Sequence, residues 1–514
     1  MTIFTDKEIL LMGNAYVMVV FGIILAKGIG FFREILFSGT FGTGVEADIY
    51  FQVFNIVNLI FAGIGVALST LVIKNMNKSE NSGNEKAYVA SFLKKSFLVL
   101  TGVAILVCVF AKPIVTHLLL PGLDEQYAGL AVKLMYIMAP SLIFVVTAYI
   151  ISGVLQNEKV FFITAIMSLP FNAVIIASLL VPNVSMTTVS IITTVGWFLH
   201  IAILLPSFFK KGYTLSSKTK TVLTKDKSPE ILWIFISNMM FQLLFYTDRA
   251  FVSGTDGMAS TLSYASNLFV IIASIFVVAM STVFFPAISK NYEEGQIEYV
   301  NGLVKYIITV MSAIFLPYLL VVGIFGEDII RLLYERDAFT PEATKAVSSV
   351  LFIYSLGVLG YIAQELFNKI LYLAGKYRYC VLGTVSTVII NIICNFVIGK
   401  TAPETEFLNT GISSKVFFIS ISSSVFLILY AAMVFLTIKK VVGKYFTKDL
   451  IFDLIKILLS GVLAFIVFLV FRFSTPSLVH GKITFIIPLA VCGVTYIVSL
   501  LLSGVLMRLI KKER

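Results

Sequence analysis

"KGIGFFREILFSGTFGTGVEAD", residues 27–48, joins two long apolar runs near the start of the chain. The run before it is long enough to cross a bilayer, which takes about 20 predominantly apolar residues. Lys27 lies about two helical turns before the predicted end of this first span, and Arg33 and Glu34 lie at that end. Asp48 opens the next span. A charge inside a bilayer costs about 2.5–3.5 kcal/mol on insertion scales, so these four residues call for a functional explanation.

The composition of the whole chain is that of a membrane protein. Of its 514 residues, 58% are hydrophobic and 13% are charged, whereas soluble domains carry about 25% charged residues. Apolar runs recur from end to end, and we predict an all-α polytopic membrane protein with about 14 transmembrane helices. The net charge of +11 fits Lys and Arg in cytoplasmic loops, and no nucleic-acid partner is predicted.

Basic residues concentrate in alternate loops. The longest connection, 208–228, is rich in lysine, and the chain ends in "RLIKKER". By contrast, "PNVSM" (182–186) has no basic residue and "GKTAPETEFLNTG" (399–411) has a single lysine. Positively charged loops stay on the cytoplasmic side, so both termini are predicted to be cytoplasmic.

Short local signals predict where helices begin and bend. In "FTPEA" (339–343), Thr340 is a predicted N-cap and Pro341 occupies the first helical position, where proline is favoured. Gly28 and Gly30 allow the first span to bend or to pack closely against a neighbour.

The chain contains an internal repeat. Four short segments recur in order at an offset of about 215 residues, as expected for a structural repeat. The pairs are "SGTFG" (38–42) and "SGTDG" (253–257), "VALST" (66–70) and "VAMST" (278–282), "HLLLPG" (117–122) and "RLLYER" (331–336), and "VLQNEKVFF" (154–162) and "ILYLAGKYRY" (370–379). The offset shifts the pattern by six spans, so both copies have the same orientation.

This repeat predicts two parallel six-helix lobes plus two C-terminal helices, an architecture typical of transporters. The predicted parts are an N-lobe with helices 1–6 (1–210), a basic cytoplasmic linker (211–228), a C-lobe with helices 7–12 (229–440), and helices 13–14 with a basic tail (441–514). A passive scaffold would not explain why both lobes carry charged residues inside their spans.

Both lobes place a basic residue shortly before the SGTxG segment. In the first lobe this residue is Arg33. In the second lobe it is Arg249, which follows Asp248 near the end of a span. One interpretation is an interface anchor whose charged head reaches the headgroups. The other is a cationic wall of a central cavity that binds an anion, because the guanidinium fork matches phosphate oxygens and lysine offers a point charge. Glu34 and Asp48 would then hold the cations in place.

The sequence gives little support to catalysis or to a tightly bound cofactor. Its four cysteines form no CxxC pair, and its three histidines lie far apart. "GKT" (399–401) lacks the first glycine of a P-loop, so we reject ATP binding. We therefore predict a protein that is not an enzyme, driven by a gradient or by the membrane potential, with sodium and proton coupling both open. Asn391 and Asn395 are one turn apart and could coordinate a small cation.

Several segments resemble the MurJ/MviN-type lipid II flippase family of the MATE-like flippase superfamily. The resemblance lies in the opening stretch as far as "QVFNIVN", in "DRAFVSGTDGMASTLSYASNL", in "STVFFPAISKNYEEG" and in "LLYERDAFTPEA". It implies two six-helix lobes plus two further helices. It also implies transport of an undecaprenyl-diphosphate-linked glycan from the inner to the outer leaflet of the bacterial cytoplasmic membrane by alternating access. Membrane lipids and the cell-wall synthesis machinery would be its partners.

The resemblance also assigns site residues. Arg33, Glu34 and Asp48 match functional positions of the family, and Lys27 stands where an arginine is usual. Asn267 occupies a position that is usually basic. The substrate-binding set that results is Lys27, Arg33, Glu34, Asp48, Arg249 and Asn267. The family's sodium site maps onto Asp248, Asn391 and Asn395, and Asn395 replaces an acidic residue there.

Three alternatives stay open. A related flippase for a capsule, teichoic or O-antigen repeat unit would have the same fold. A MATE-type drug exporter would favour an acidic cavity for its cationic drugs, whereas Lys27, Arg33 and Arg249 are basic. A membrane glycosyltransferase or polymerase would need catalytic carboxylates or histidines at the membrane edge, often with a large outer loop, and the predicted outer loops are short.

Overall fold

The computed structural model describes residues 6–56, 62–76, 84–215, 229–475 and 484–511. Within these ranges the chain is helical, and the only β-structure there is one isolated bridge between Glu406 and Ser413. The all-α prediction is therefore confirmed. Most of the predicted linker, at 216–228, lies outside the described residues. The chain divides into two compact units, Met1–Ser260 and Thr261–Arg514.

The first unit is built from helices, several of which follow one another across short breaks. In chain order they are α1 (Asp6–Phe41), α2 (Val45–Ile56), α3 (Ala62–Met76), α4 (Glu85–Val109), α5 (Ala111–Pro113), the π turn π1 (Ile114–Leu119), α6 (Glu125–Met138), α7 (Ser141–Asn157), α8 (Phe161–Ala165), α9 (Leu169–Leu179), α10 (Met186–Ala202), α11 (Leu205–Lys210) and α12 (Pro229–Phe251). The unit also includes the first three residues of the next helix.

The second unit begins with two very long helices and contains a second π turn. Its elements are α13 (Met258–Glu293), α14 (Ile297–Leu333), α15 (Pro341–Leu356), α16 (Val358–Ile362), π2 (Ala363–Phe367), α17 (Asn368–Leu373), α18 (Tyr377–Thr401), α19 (Ser414–Val442), α20 (Lys448–Ser474), α21 (Ile486–Leu502) and α22 (Val505–Lys511). Helix α15 begins as predicted: Thr340 is the N-cap, and its hydroxyl accepts the Ala343 N–H at 3.2 Å.

The described helices have the lengths and surfaces of membrane spans. Nine of them are long and apolar enough to cross a bilayer, and the pair Pro341–Leu356 and Val358–Leu373, bent by 56°, raises this to ten. Large apolar side chains such as Phe473 and Leu502 are mostly exposed, as expected for surfaces that face lipid rather than water. The protein is a multi-pass membrane protein, and the count of fourteen stays a prediction.

Helix α1 is longer than predicted. The sequence placed its end at residue 32, with Arg33 and Glu34 closing it, but the helix continues to Phe41. Two hydroxyls fold back onto the helix, because Ser38 Oγ donates to Ile35 O at 2.8 Å and Thr40 Oγ1 donates to Leu36 O at 2.9 Å. Polar side chains of this kind fit a helix when they bond to the carbonyl of the preceding turn. Arg33 and Glu34 therefore lie inside the helix.

Close backbone packing in the second unit gives a stability prediction. A Cβ at Gly360 would lie 2.5 Å from the carbonyl oxygen of Leu427 and 2.6 Å from its Cβ. Moving backbone atoms to make room for a side chain is costly, so Gly360→Ala should destabilise the protein by about 1–3 kcal/mol. Gly302 in α14 is a matched control, since a Cβ added there would meet nothing within 4 Å, and Gly302→Ala should stabilise by up to about 1 kcal/mol. Thermal unfolding in detergent measures both, and equal shifts would contradict the packing.

Candidate functional site

Arg33 packs against two aromatic side chains of the first unit. Its guanidinium carbon lies 5.6 Å from the ring centroid of Phe54 on α2 and 5.5 Å from that of Phe171 on α9. Both distances are typical of cation–π contacts, which stabilise a guanidinium without neutralising it. The side chain is half-buried. The Arg33 guanidinium therefore lies in a partly apolar setting.

The two rings that hold Arg33 belong to a row of aromatic side chains. Phe54 stacks on Tyr50 at 5.5 Å and on Phe171 at 6.4 Å, and Phe171 packs against Trp197 at 4.6 Å. Tyr50 is buried, and its hydroxyl lies 3.0 Å from the Thr193 hydroxyl on α10. Because α2, α9 and α10 all contribute to this row, the position of Phe54 and Phe171 is fixed by packing in three helices.

Asp48 caps the helix that follows the SGTDG segment. Its carboxylate accepts hydrogen bonds from the Gly257 N–H at 2.8 Å and from the Ser260 N–H at 2.5 Å. Asp48 is buried, with 3% of its surface exposed. These donors are backbone N–H groups at the start of α13, where helix geometry supplies no carbonyl within the helix and a negative charge is favoured. Gly257 has a φ of +77°, and a Cβ there would lie 2.8 Å from Thr43 O, so only glycine fits. Asp48 thus ties α2 to the first turn of α13.

A second close approach lies beside this cap. The Gly122 N–H donates to Ser253 Oγ at 3.0 Å. A Cβ at Gly122 would lie 2.4 Å from Gly254 Cα, so the two backbones pass without room for a side chain. Gln52, one turn after Asp48, donates from Nε2 to Leu119 O at 2.8 Å. The SGTDG segment is therefore held by α2 and by the turn that follows π1.

The other predicted residues are distributed over both units. Lys27 is exposed on α1, and Glu34 is buried in the same helix. Asp248 and Arg249 are buried near the end of α12 in the first unit, where each interacts with other groups. Asn267 is half-buried on α13 in the second unit. The first unit thus holds all the charged residues of the predicted site.

Asn391 and Asn395 lie together on α18, as predicted, and both are fully buried. Asn391 Nδ2 donates to Ser422 Oγ at 3.0 Å and to Ser423 Oγ at 3.1 Å, and Asn395 Nδ2 donates to Asn391 Oδ1 at 3.2 Å. A sodium ion would need several oxygens directed at one point, whereas these amides bond to neighbouring side chains. Asp248 belongs to the first unit. Within the described ranges no three His, Cys, Asp or Glu side chains form a metal-binding group, and sodium binding stays a prediction.

The end of α7 is tied to the segment after α11. The Tyr213 hydroxyl donates to Glu158 Oε1 at 2.7 Å, and Lys211 Nζ donates to Glu158 O at 3.0 Å. Burial, followed by the hydrogen bond to Glu158, raises the pKa of the Tyr213 phenol above its usual value. The phenol therefore stays a proton donor at physiological pH, and the start of the predicted linker is anchored to the first unit.

Sequence reasoning missed two features of this site. The aromatic partners of Arg33 were not predicted, although Tyr50 and Phe54 are one helical turn apart, a spacing that puts both on one face. The cap by Asp48 has no local signal, because Gly257 lies 209 residues further along the chain. The geometry places a guanidinium against two aromatic rings, and a guanidinium is suited to binding an anion.

Comparisons with known proteins agree with one another. A family model described as "Lipid II flippase MurJ" matches residues 37–489. Similar curated relatives described as probable lipid II flippase MurJ include one from Rhizobium tropici, 26% identical over 353 residues that make up 65% of each chain. Another, from Buchnera aphidicola, is 23% identical over 77% of this chain and 80% of its own. The chain thus spans slightly less than two thirds of the Rhizobium relative.

Solved structures show the same fold. A structure titled "Lipid II flippase MurJ, inward closed conformation" superposes with a TM-score of 0.76 at 21% identity, covering 96% of this chain and 99% of that one. An inward-facing multidrug transporter of the MATE family has a TM-score of 0.65 at 12% identity, covering 83% of this chain and 98% of its own. At these identities the likeness concerns the fold alone.

Proposed function

The chain belongs to the MurJ family of lipid II flippases, and we propose that it moves lipid II from the inner to the outer leaflet by alternating access. The proposed substrate is an undecaprenyl-diphosphate-linked cell-wall precursor, and the proposed membrane is the bacterial cytoplasmic membrane. The observation that supports this most is Arg33, whose guanidinium lies against both the Phe54 ring and the Phe171 ring. An arginine placed in this way can form a bidentate pair of hydrogen bonds with a diphosphate.

Transport requires that this contact change during the cycle. A ligand shifts an equilibrium between two states only by the difference in its affinity for them. We propose that Arg33 contacts the diphosphate more closely in one state than in the other. The Asp48 cap, which joins α2 to the start of α13, would be made in one state and broken in the other. Glu34, which is buried and follows Arg33 in α1, would offset the positive charge of the site when no substrate is bound.

We propose that an ion gradient or the membrane potential supplies the work. Nothing in the sequence matches a complete P-loop, and sodium and protons both stay open as coupling ions. Transport into proteoliposomes with an imposed sodium gradient, an imposed proton gradient or neither separates these cases. Flipping that responds to neither gradient nor potential would contradict this part of the proposal.

A flippase for another lipid-linked glycan is the second candidate. It is favoured by Asn267, which is half-buried at a position where the family resemblance leads us to expect a basic residue. Fewer cations still suffice for one diphosphate, but a changed neighbour could suit a different sugar. A MATE-type drug exporter fits less well, because the positive charges of Lys27 and Arg33 would repel cationic drugs.

Rescue of a bacterium depleted of its essential lipid II flippase tests the substrate. Expression of this chain should restore growth, and lipid II should again become accessible to a membrane-impermeant probe at the outer leaflet. The control is the same strain carrying an Arg33→Ala chain at equal abundance. Normal insertion without lipid II at the outer leaflet would reject lipid II as the substrate and favour another lipid-linked glycan.

The charge pattern of the loops gives a topology prediction. Cysteines introduced as Lys218→Cys and Thr405→Cys should react with impermeant reagents from opposite sides of the membrane, because lysine-rich loops stay in the cytoplasm. Position 405 should label in intact cells, and position 218 only after the inner side is opened. Labelling of position 218 from outside would refute the proposed orientation and with it the cytoplasmic location of both termini.

A further inference from the structure

The two copies of the internal repeat carry different residues at one pair of equivalent positions, glycine in the first copy and lysine in the second. Ser69 in "VALST" corresponds to Ser281 in "VAMST", and Gly153 and Lys369 each directly precede the last pair of repeated segments. If the repeat is structural, a contact between Ser69 and Gly153 in the first unit should have a counterpart between Ser281 and Lys369 in the second. Both contacts are present, the first within the first unit and the second within the second.

In the first unit this seam between α3 and α7 is closed. A Cβ at Gly153 would lie 1.7 Å from Ser69 Oγ and 3.0 Å from Ser69 Cβ. The serine hydroxyl therefore occupies the space that any side chain at Gly153 would need. Small residues of this kind let membrane helices approach closely.

In the second unit the equivalent seam holds a lysine. Lys369 Nζ donates to Ser281 Oγ at 2.7 Å, and the same amine lies 6.0 Å from the ring centroid of Phe285. Ser281 is 7% exposed, and Lys369 is half-buried. The amine is therefore directed at α13 within the protein, and it does not extend away from it.

The backbone around Lys369 is irregular. The repeat offset grows between "RLLYER" and "ILYLAGKYRY", and the span between them contains the 56° bend and the π turn π2, which ends just before Asn368. π turns accommodate inserted residues and recur at functional sites. Asn368 itself is fixed, because Nδ2 donates to the Tyr430 hydroxyl at 2.6 Å and to Gln364 Oε1 at 2.8 Å. The lysine thus projects from a held segment.

Packing alone does not account for this lysine. The first unit closes the same seam with a glycine, so the scaffold does not require a long side chain there. A serine hydroxyl and an aromatic ring are neutral partners, and an ammonium group within a span is costly without an anion. Glu365 lies four residues earlier, at the π turn, and is also half-buried. Lys369 lies four residues before the end of α17. The connection that follows, "AGKYR" (374–378), carries a lysine and an arginine, which predicts that it lies on the cytoplasmic side.

We propose that Lys369 and Ser281 form a binding site for the phosphate group of a lipid in the inner leaflet. The lysine would supply the charge and the serine hydroxyl a second donor, with Phe285 limiting access by water. The phosphate belongs either to the polyprenyl diphosphate substrate or to a phospholipid headgroup. The first of these sources rests on the proposed function, and the site would then bind the substrate before it reaches the outer leaflet.

Lipid binding to the purified full-length protein in detergent tests this, with undecaprenyl diphosphate and phosphatidylglycerol as separate probes in native mass spectrometry. Lys369→Met should weaken binding of at least one probe by about tenfold, and Lys369→Gly, which copies the first unit, should do the same. Lys369→Arg should retain binding, and Ser281→Ala should lose about threefold. Lys440→Ala is the control, since Lys440 is an exposed lysine in the last turn of α19.

The outcomes separate the sources and the proposals. Loss for undecaprenyl diphosphate alone assigns the site to substrate, and loss for phosphatidylglycerol alone assigns it to a phospholipid. Unchanged binding of both probes by Lys369→Met, with normal thermal unfolding, overturns the site, as does an equal loss in Lys440→Ala. Because binding is measured without transport, a wild-type chain that binds but fails the rescue would reject the proposed function and leave this site standing.

Discussion

Transport should fall by about 100-fold or more when Arg33 is replaced by alanine, because two charge-assisted hydrogen bonds to a diphosphate are removed at once. The protein should still insert, since removing a charge from a membrane helix lowers its insertion cost. The measurement is lipid II accessibility at the outer leaflet at equal protein abundance. An interface anchor would give a different result, with Arg33→Ala nearly silent. A normally expressed Arg33→Ala chain with full flipping activity would contradict the proposal that Arg33 binds the diphosphate.

Graded variants separate charge from geometry at the same position. Arg33→Lys should keep part of the activity, because the charge survives and the planar fork does not. Phe54→Leu should cost a few-fold, as expected for one cation–π contact, while the helix keeps an apolar side chain. Glu34→Gln should weaken transport less than Arg33→Ala. Equal activity in Arg33→Lys and wild type would indicate that only the positive charge matters.

Asp48→Ala should both destabilise the first unit and abolish transport. The carboxylate accepts two buried backbone N–H groups, from Gly257 and Ser260, and each charge-assisted bond contributes about 1.5–3 kcal/mol. We therefore expect a loss of about 3 kcal/mol or more in the free energy of unfolding. Asp48→Asn should lose less, because one amide oxygen remains as an acceptor. Thermal unfolding in detergent and the rescue assay measure the two effects.

Glu46 provides the matched control for Asp48. It lies in the same first turn of α2 and is exposed, so Glu46→Gln removes a carboxylate without removing the cap. Its unfolding temperature and transport should match those of the wild type. If Asp48→Ala unfolds like the wild type, the two hydrogen bonds contribute nothing net to stability, and if it also rescues like the wild type, a role for the cap in transport is refuted.

The fold was predictable where the signal is local or repeated. Apolar runs define the helical class, Thr340 and Pro341 mark the start of α15, and the matching segments make Ser281 the equivalent of Ser69. The predicted end of α1 is wrong because charged residues such as Arg33 and Glu34 are typical of a membrane edge, whereas here they lie inside the helix. The helix instead continues to Phe41, and the Ser38 and Thr40 hydroxyls bond to carbonyls of their own preceding turn.

The site was predictable in its charges and not in its partners. Arg33 and Asp48 stand out because ionisable residues are rare in such a chain. Their partners depend on tertiary contacts: Phe171 approaches Arg33 from another helix, and Gly257 approaches Asp48 from a segment more than 200 residues away. Composition and spacing contain no information about which of many phenylalanines or glycines meets a given charge.

The cap on α13 has a consequence for the order in which the protein is made. Asp48 is synthesised 209 residues before Gly257 and 212 residues before Ser260. At about 5–20 residues per second, the ribosome needs on the order of 10–40 s to deliver these donors. During that interval the newborn first helices carry a carboxylate whose final partners do not yet exist. A chain that stalls before residue 257 can never supply them, so its Asp48 carboxylate stays without the cap contacts that the finished protein has.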